Sequence, residues 1–127
     1  MEDTIITTDV MGCQKDIVKL IRYNKADYML TLKRNQGSLY VDVTEYFDDP
    51  ALRAGCAYHK VVEKAHSALE IREYWQTNDI AWLHQRKDWA GLVSIVMTKN
   101  TTIRGRDTIS DVRYFISSLP LNVAGAE

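Results

Sequence analysis

Asp9 closes a short β-branched run, Thr4-Ile5-Ile6-Thr7-Thr8, and Gly12 follows three residues later. Ligands and metals gather at the carboxyl ends of strands in open α/β sheets, so a carboxylate in this place is a candidate for metal-assisted chemistry. An Asp between strand and helix also serves as a plain cap or turn residue, and these residues alone leave both uses open. Lys33, Asn35 and Gln36 follow the next apolar run and fall on the same edge as Asp9. His66, Glu70 and Arg72 alternate as the polar face of one strand would. Cys13 and Cys56 are far apart and match no CxxC spacing, and His59, His66 and His84 are scattered. No zinc pattern is present, and both cysteines read as reduced, mostly buried thiols.

The elements that position these groups are legible from periodicity. The Thr4–Thr8 run has the composition of a strand covered on both faces. From Gln14 to Asn24, Ile17, Val18, Leu20 and Ile21 recur at helical spacing against Lys15, Asp16, Lys19 and Arg22, which predicts an amphipathic helix. Asp27 to Lys33 returns to strand composition, so the first third of the chain reads as a βαβ unit with two parallel strands. Gly37 and Ser38 offer the start of a second helix, with Leu39, Val43, Tyr46 and Phe47 as its apolar stripe and Asp48-Asp49-Pro50 closing it. Long alternating stretches at Lys60–Thr77, Leu92–Lys99 and Asp111–Ser118 predict three antiparallel strands, with turns around Asn100–Asp107. Ile80, Trp82, Leu83 and Trp89 form a short helical turn against one sheet face.

The fold class expected is therefore α+β: a parallel βαβ beginning, residues 1–35, followed by an antiparallel β region with short helices, residues 36–127. The length suits one domain with an ordinary core. Apolar residues at 46% and charged residues at 26% place the chain among folded globular proteins rather than disordered ones. No apolar run is long enough for a membrane span and no leader-like segment opens the chain, so the expected compartment is the cytoplasm. A formal charge of -1 gives no general attraction to a polyanion, so contact with nucleic acid would rest on local basic groups or a bound metal. Two parallel strands alone make an incomplete sheet, which points to a missing part.

The string Thr8-Asp9-Val10-Met11-Gly12-Cys13-Gln14, followed by Asp27-Tyr28-Met29-Leu30-Thr31-Leu32-Lys33-Arg34-Asn35-Gln36 and then by His66, Glu70 and Arg72, resembles the ISAs1 family of insertion-sequence transposases, the H-repeat-associated proteins. The resemblance covers nearly the whole chain, to the Tyr114–Leu119 strand. It implies a ribonuclease-H-like catalytic core in which two Asp and one Glu hold a pair of Mg²⁺ or Mn²⁺ ions that cleave and rejoin DNA. Such ions activate an attacking water or 3′-hydroxyl and stabilise the leaving oxygen, and they require oxygen ligands. On this alignment Asp9 is the second Asp, a catalytic metal ligand. The first Asp would lie upstream of Met1 and the Glu downstream of Glu127, so the chain is expected to be an internal fragment that holds no ion tightly and is inactive alone.

Residues 1–35 then match the second half of the core sheet, and residues 36 to about 120 an insertion placed before the Glu helix. Two departures stand out. Arg34 takes the Gly position of Leu-Lys-Gly-Asn-Gln, and His66-Ser67-Ala68-Leu69-Glu70 replaces His-Gly-Arg-x-Glu. They point to a copy released from selection for transposition. The resemblance makes Lys33, Asn35, Gln36, His66 and Arg72 candidate contacts to the DNA of transposon ends. Against this stand a solvated loop for the first three and a cross-strand salt-bridge row for His66, Glu70 and Arg72. Trp75, Trp82 and Trp89, spaced by seven, could stack bases, with core packing as the plainer reading.

The alternative function is a non-catalytic remnant that binds DNA or dimerises and so interferes with a full-length transposase. A homodimer or strand-swapped assembly is expected from the unpaired edge of the Thr4–Thr8 strand. An unrelated small-molecule enzyme is disfavoured, since no nucleophile–base pair or Gly-rich phosphate loop is present.

Overall fold

A computed structural model of the chain describes residues 5–9, as backbone only, 27–33 and 37–120. Strand β1 (Ile5–Asp9) and strand β2 (Asp27–Thr31) pair in parallel, from Ile5 opposite Asp27 to Asp9 opposite Thr31. This is the expected parallel pair. The helix predicted over Gln14–Asn24 lies outside the described residues.

Helix α1 (Ser38–Asp48) begins after Gly37, whose φ of 62° suits a residue without a Cβ. Leu39, Val43, Tyr46 and Phe47 form its buried stripe, as their spacing predicts. Pro50 does more than close this helix. It sits in the first turn of a second, short helix, α2 (Pro50–Ala54), where a missing N–H costs nothing. Asp49 caps that helix by accepting from the N–H groups of Ala51 (2.9 Å) and Leu52 (3.4 Å).

The antiparallel part holds four long strands rather than three: β3 (Ala57–Ala65), β4 (Ala68–Thr77), β5 (Ser94–Arg104) and β6 (Asp107–Ser117). The stretch expected as one strand from Lys60 to Thr77 folds back on itself at His66-Ser67. No Gly, Pro or Asn marks that turn in the sequence. The turn region expected over Asn100–Asp107 shrinks to Gly105-Arg106, with Gly105 supplying a φ of 62° at the first loop position. The six strands form one sheet in the order β1-β2-β6-β5-β4-β3, antiparallel throughout except for β1 on β2. Because β2 pairs with both β1 and β6, the sheet runs unbroken from the parallel beginning into the antiparallel region.

One face of the sheet carries the core. Tyr28 and Leu30 of β2, Ile95 and Met97 of β5 and Ile116 of β6 meet Leu39, Val43 and Phe47 of α1. The connection from β4 to β5, which includes a 3₁₀ turn at His84–Asp88, adds Ile80, Leu83 and Trp89 to the same cluster. The Tyr28 hydroxyl donates to the Ala90 carbonyl at 2.9 Å and ties this connection to the sheet. Beyond the core, β3 to β6 continue as a four-stranded arm. Every residue from Arg104 to Arg113 is exposed.

His66 and Ser67 adopt φ of 50° and 67°. Two consecutive left-handed residues are the signature of a tight hairpin turn that ordinarily selects Gly or Asn, and each bulkier residue there costs on the order of 1 kcal/mol. Replacing Ser67 by Gly is expected to stabilise the chain by about 1 kcal/mol, a rise in Tm of roughly 4 °C by differential scanning calorimetry. An unchanged or lower Tm would show that the turn carries no such strain.

Candidate functional site

Asp9 is the last residue of β1 and stands opposite Thr31, the last residue of β2, at the carboxyl ends of two adjacent parallel strands. Lys33 follows two residues beyond Thr31 at the same end and is exposed. The backbone therefore brings Asp9 and Lys33 to one edge of the sheet, while Asn35 and Gln36 lie outside the described residues.

The register also says where the arm points. Thr31 pairs with Phe115, and β6 runs antiparallel to β2, so residues of β6 numbered below 115 extend past the carboxyl end of β2. The arm thus projects from the end of the sheet that carries Asp9. Between Phe115 and Asp107 it covers about 25 Å, at roughly 3.3 Å per residue. His66, expected on a strand face, sits instead in the turn at the tip, beside the Ala68–Arg104 pair. It is not brought near Asp9.

Arg72 and Glu70 do share a face of β4, and Glu63 joins them from β3. The Arg72 guanidinium lies 3.4 Å from Glu70 and 3.7 Å from Glu63. All three side chains are around half-exposed, so each contact contributes at most about 1 kcal/mol. This arrangement is the cross-strand salt-bridge row. His66 takes no part in the alternation.

The three tryptophans do packing work. Trp89 is buried in the core. Trp82 stacks flat on Tyr46, with ring centroids 5.1 Å apart and planes within 3°. Trp75 lies 5.1 Å from the ring of Tyr58, with the Arg53 guanidinium 5.8 Å from its centroid.

Burial, and to a lesser extent Asp79, push the Cys56 thiol up against the opposing pull of Arg53, and its S–H donates to the Leu52 carbonyl at 3.5 Å. Such a thiol is a poor nucleophile. Burial first, then the hydrogen bond to the Glu73 carboxylate at 2.6 Å, push the Tyr58 phenol up to about 12. A raised phenol stabilises the fold below its unfolded value of 10, and the contribution fades as pH climbs from about 10 to 12. Ultraviolet titration should show Tyr58 ionising late, and Glu73→Gln should move that ionisation towards 10. An unmoved midpoint would exclude Glu73 as a contributor.

Among the described residues, no three His, Cys, Asp or Glu side chains converge as a metal-holding group. No helix among them is long and apolar enough to cross a membrane.

No family model matches the chain, and no solved structure matches it. Curated proteins do. The chain is 35% identical over 113 residues, 89% of its length, to the "Uncharacterized protein in dhlA 3'region" of Xanthobacter autotrophicus. It is 31% identical over 124 residues, 93% of its length, to "Putative transposase YncI" of Escherichia coli O157:H7. It is 32% identical over 125 residues, 92% of its length, to "H repeat-associated putative transposase YhhI" of Escherichia coli K12. These alignments cover 38%, 32% and 32% of the respective relatives. The chain is thus related in sequence, along nearly its whole length, to proteins carrying transposase and H-repeat names, and it spans about a third of their length.

Proposed function

We propose that the chain is an internal segment of a DDE transposase of the ISAs1 type, carrying one carboxylate, Asp9, of a site that other parts of such a protein complete. The observation that carries this reading is the position of Asp9 at the carboxyl ends of a parallel strand pair, within a chain similar over nine-tenths of its length to transposase-named proteins. A ribonuclease-H-like sheet places its metal-holding acids at such strand ends, and β1 and β2 supply two neighbouring strands of one.

A pair of divalent ions needs several oxygen ligands each. Among the described residues no such set of ligands converges, and on this reading the remaining ligands come from other parts of the protein. Asp9 contributes one ligand to a composite site. The arm reaches out from the same end over about 25 Å, the span of about seven base pairs at 3.4 Å each, so a duplex crossing that end would pass Lys33 and approach His66 at the tip. Arg72 would reach DNA only by leaving Glu63 and Glu70.

Ser67 favours the second reading, a remnant that folds without transposing. It holds a glycine-like backbone conformation with a serine, as expected of a copy no longer under selection at that turn. The two readings share a first test. The isolated chain, incubated with supercoiled and linear DNA and Mg²⁺ or Mn²⁺, is expected to cut neither. Metal-dependent cutting that disappears in Asp9→Asn would overturn the composite-site reading. Restoring Asp9 to a context with both other carboxylates should give cleavage that Asp9→Asn abolishes. Cleavage indifferent to Asp9 would remove it from the site.

A further inference from the structure

Strand β6 is an interior strand only at one end. Met29, Leu30 and Thr31 pair with Ser117, Ile116 and Phe115, and the Leu32 N–H makes one more bond, to the Tyr114 carbonyl at 2.7 Å. The Tyr28 carbonyl accepts from the Ser118 N–H on the same side. Backbone groups alternate in direction along a strand, so Thr108, Ser110 and Val112 present their N–H and C=O to the side that β2 has left. No strand pairs with them there among the described residues. Each residue from Asp107 to Arg113 is exposed, Ile109 at 69% and Val112 at 42%. An edge of this kind is a template for another strand.

The charges along the edge choose the partner. In an antiparallel pair of identical strands related by a two-fold axis, the register is fixed by the residue on the axis. With Ile109 on the axis, Asp107 would oppose the partner's Asp111, two carboxylates face to face. With Asp111 on the axis, the ladder would need the Tyr114 carbonyl, which already accepts from Leu32. With Ser110 on the axis, Asp107 opposes the partner's Arg113 at both ends. Thr108 then meets the partner's Val112, a favourable β-branched pair, and the outward groups of Thr108, Ser110 and Val112 all find partners. Asp107 and Arg113 share one face of the sheet, as same-parity residues of a strand must. Among the described residues Arg113 pairs with its neighbour Asp111, at 3.0 Å on a side chain 59% exposed.

We propose that β6 is a self-association edge, and that two copies of this chain join antiparallel through Thr108–Val112 about a two-fold axis at Ser110, locked by reciprocal Asp107–Arg113 pairs. The occupant is a second copy because one sequence supplies both members of each ion pair. This edge differs from the outer side of β1, the edge expected from the sequence. It also stands apart from the DNA reading, since it needs neither metal nor nucleic acid. Two arms joined in this way form one continuous eight-stranded ribbon in which the arm strands of both copies lie side by side. An interface of one strand pair is small, so the association is weak and shows at high protein concentration.

The test is a charge-exchange cycle read by sedimentation equilibrium of the full chain, from micromolar to millimolar, under reducing conditions. The parent chain should shift from monomer to dimer with rising concentration. Asp107→Arg alone and Arg113→Asp alone should each weaken the dimer about tenfold, and the two together should restore most of the loss. Both positions are exposed, and thermal unfolding of each variant separates an effect on association from one on folding. A chain that stays monomeric throughout would overturn the proposal. So would a dimer indifferent to either single substitution, or a double variant as weak as the singles, since association would then use another edge.

Discussion

Truncating Phe47 to alanine should destabilise the chain by about 3–5 kcal/mol, the range for a fully buried aromatic side chain. Phe47 is 0% exposed, on the face of α1 that closes over the sheet. Its ring lies 6.2 Å from that of Tyr114 on β6 and 5.6 Å, edge-on, from that of Tyr46 on its own helix. The cavity left behind would sit between helix and sheet, where neither element can collapse without moving the other. Domains of this size are stable by about 5–15 kcal/mol in total, so the loss takes a large share. Urea unfolding should show a lower midpoint with an unchanged slope. A loss under about 1 kcal/mol would mean that α1 does not pack on the sheet as described.

Replacing Gln76 by alanine should cost about 2 kcal/mol, through hydrogen bonds rather than volume. Gln76 is 4% exposed, and its Nε2 donates to Ser94 Oγ at 3.0 Å and to the Pro120 carbonyl at 3.1 Å. Ser94 Oγ in turn donates to the Leu119 carbonyl at 2.7 Å. The amide thus fastens the segment after β6 to the middle of the sheet, and its loss leaves a buried acceptor unsatisfied. Hydrogen exchange at the Leu119 amide, which donates to Ser117 Oγ, should quicken in the same variant. Gln76→Glu separates the chemistry from the volume: a carboxylate can only accept, and the Pro120 carbonyl, which cannot donate, would face it without a proton. It should be worse than alanine at neutral pH and recover as the pH falls into the carboxyl range. Equal stability of the Gln, Ala and Glu forms would remove this network from the account of stability.

What the sequence made legible follows from what periodicity can express. The stripe Leu39, Val43, Tyr46 and Phe47 repeats at helical spacing, and those four residues are the ones α1 buries. The runs Ile5–Thr8 and Tyr28–Leu32 are β-branched, aromatic or aliphatic on consecutive residues, the mark of strands inside a sheet, and β1 and β2 pair in parallel. The hairpin between β3 and β4 escapes because its turn is made by His66 and Ser67, with no Gly, Pro or Asn to mark it, so the alternation runs uninterrupted along the sequence. The second helix escaped because Pro50 reads equally as a stop or as a start, and only the Asp49 side chain bonded to Ala51 and Leu52 decides for a start. Arg72 shows a third kind of gap. Its partner Glu63 is nine positions away in the chain and becomes a neighbour only through the hairpin. Asp9 was conspicuous because it ends a strand. The groups that would share a metal with it converge through topology, which spacing along the chain does not encode.

The sheet has two thicknesses. Near β2 it is backed by α1 and by the connection through Trp89, whereas the hairpin ends from His66 to Arg106 have no second layer among the described residues. The two regions should therefore open by different routes. Amide protons of Ile95, Met97 and Ile116 are expected to exchange only through global unfolding, while those of Thr101–Ile109 escape through local fraying that leaves the thick end intact. The arm is in this sense a separate cooperative unit grafted onto the same strands. A partner that grips its tip would slow exchange there by orders of magnitude without changing the melting of the rest.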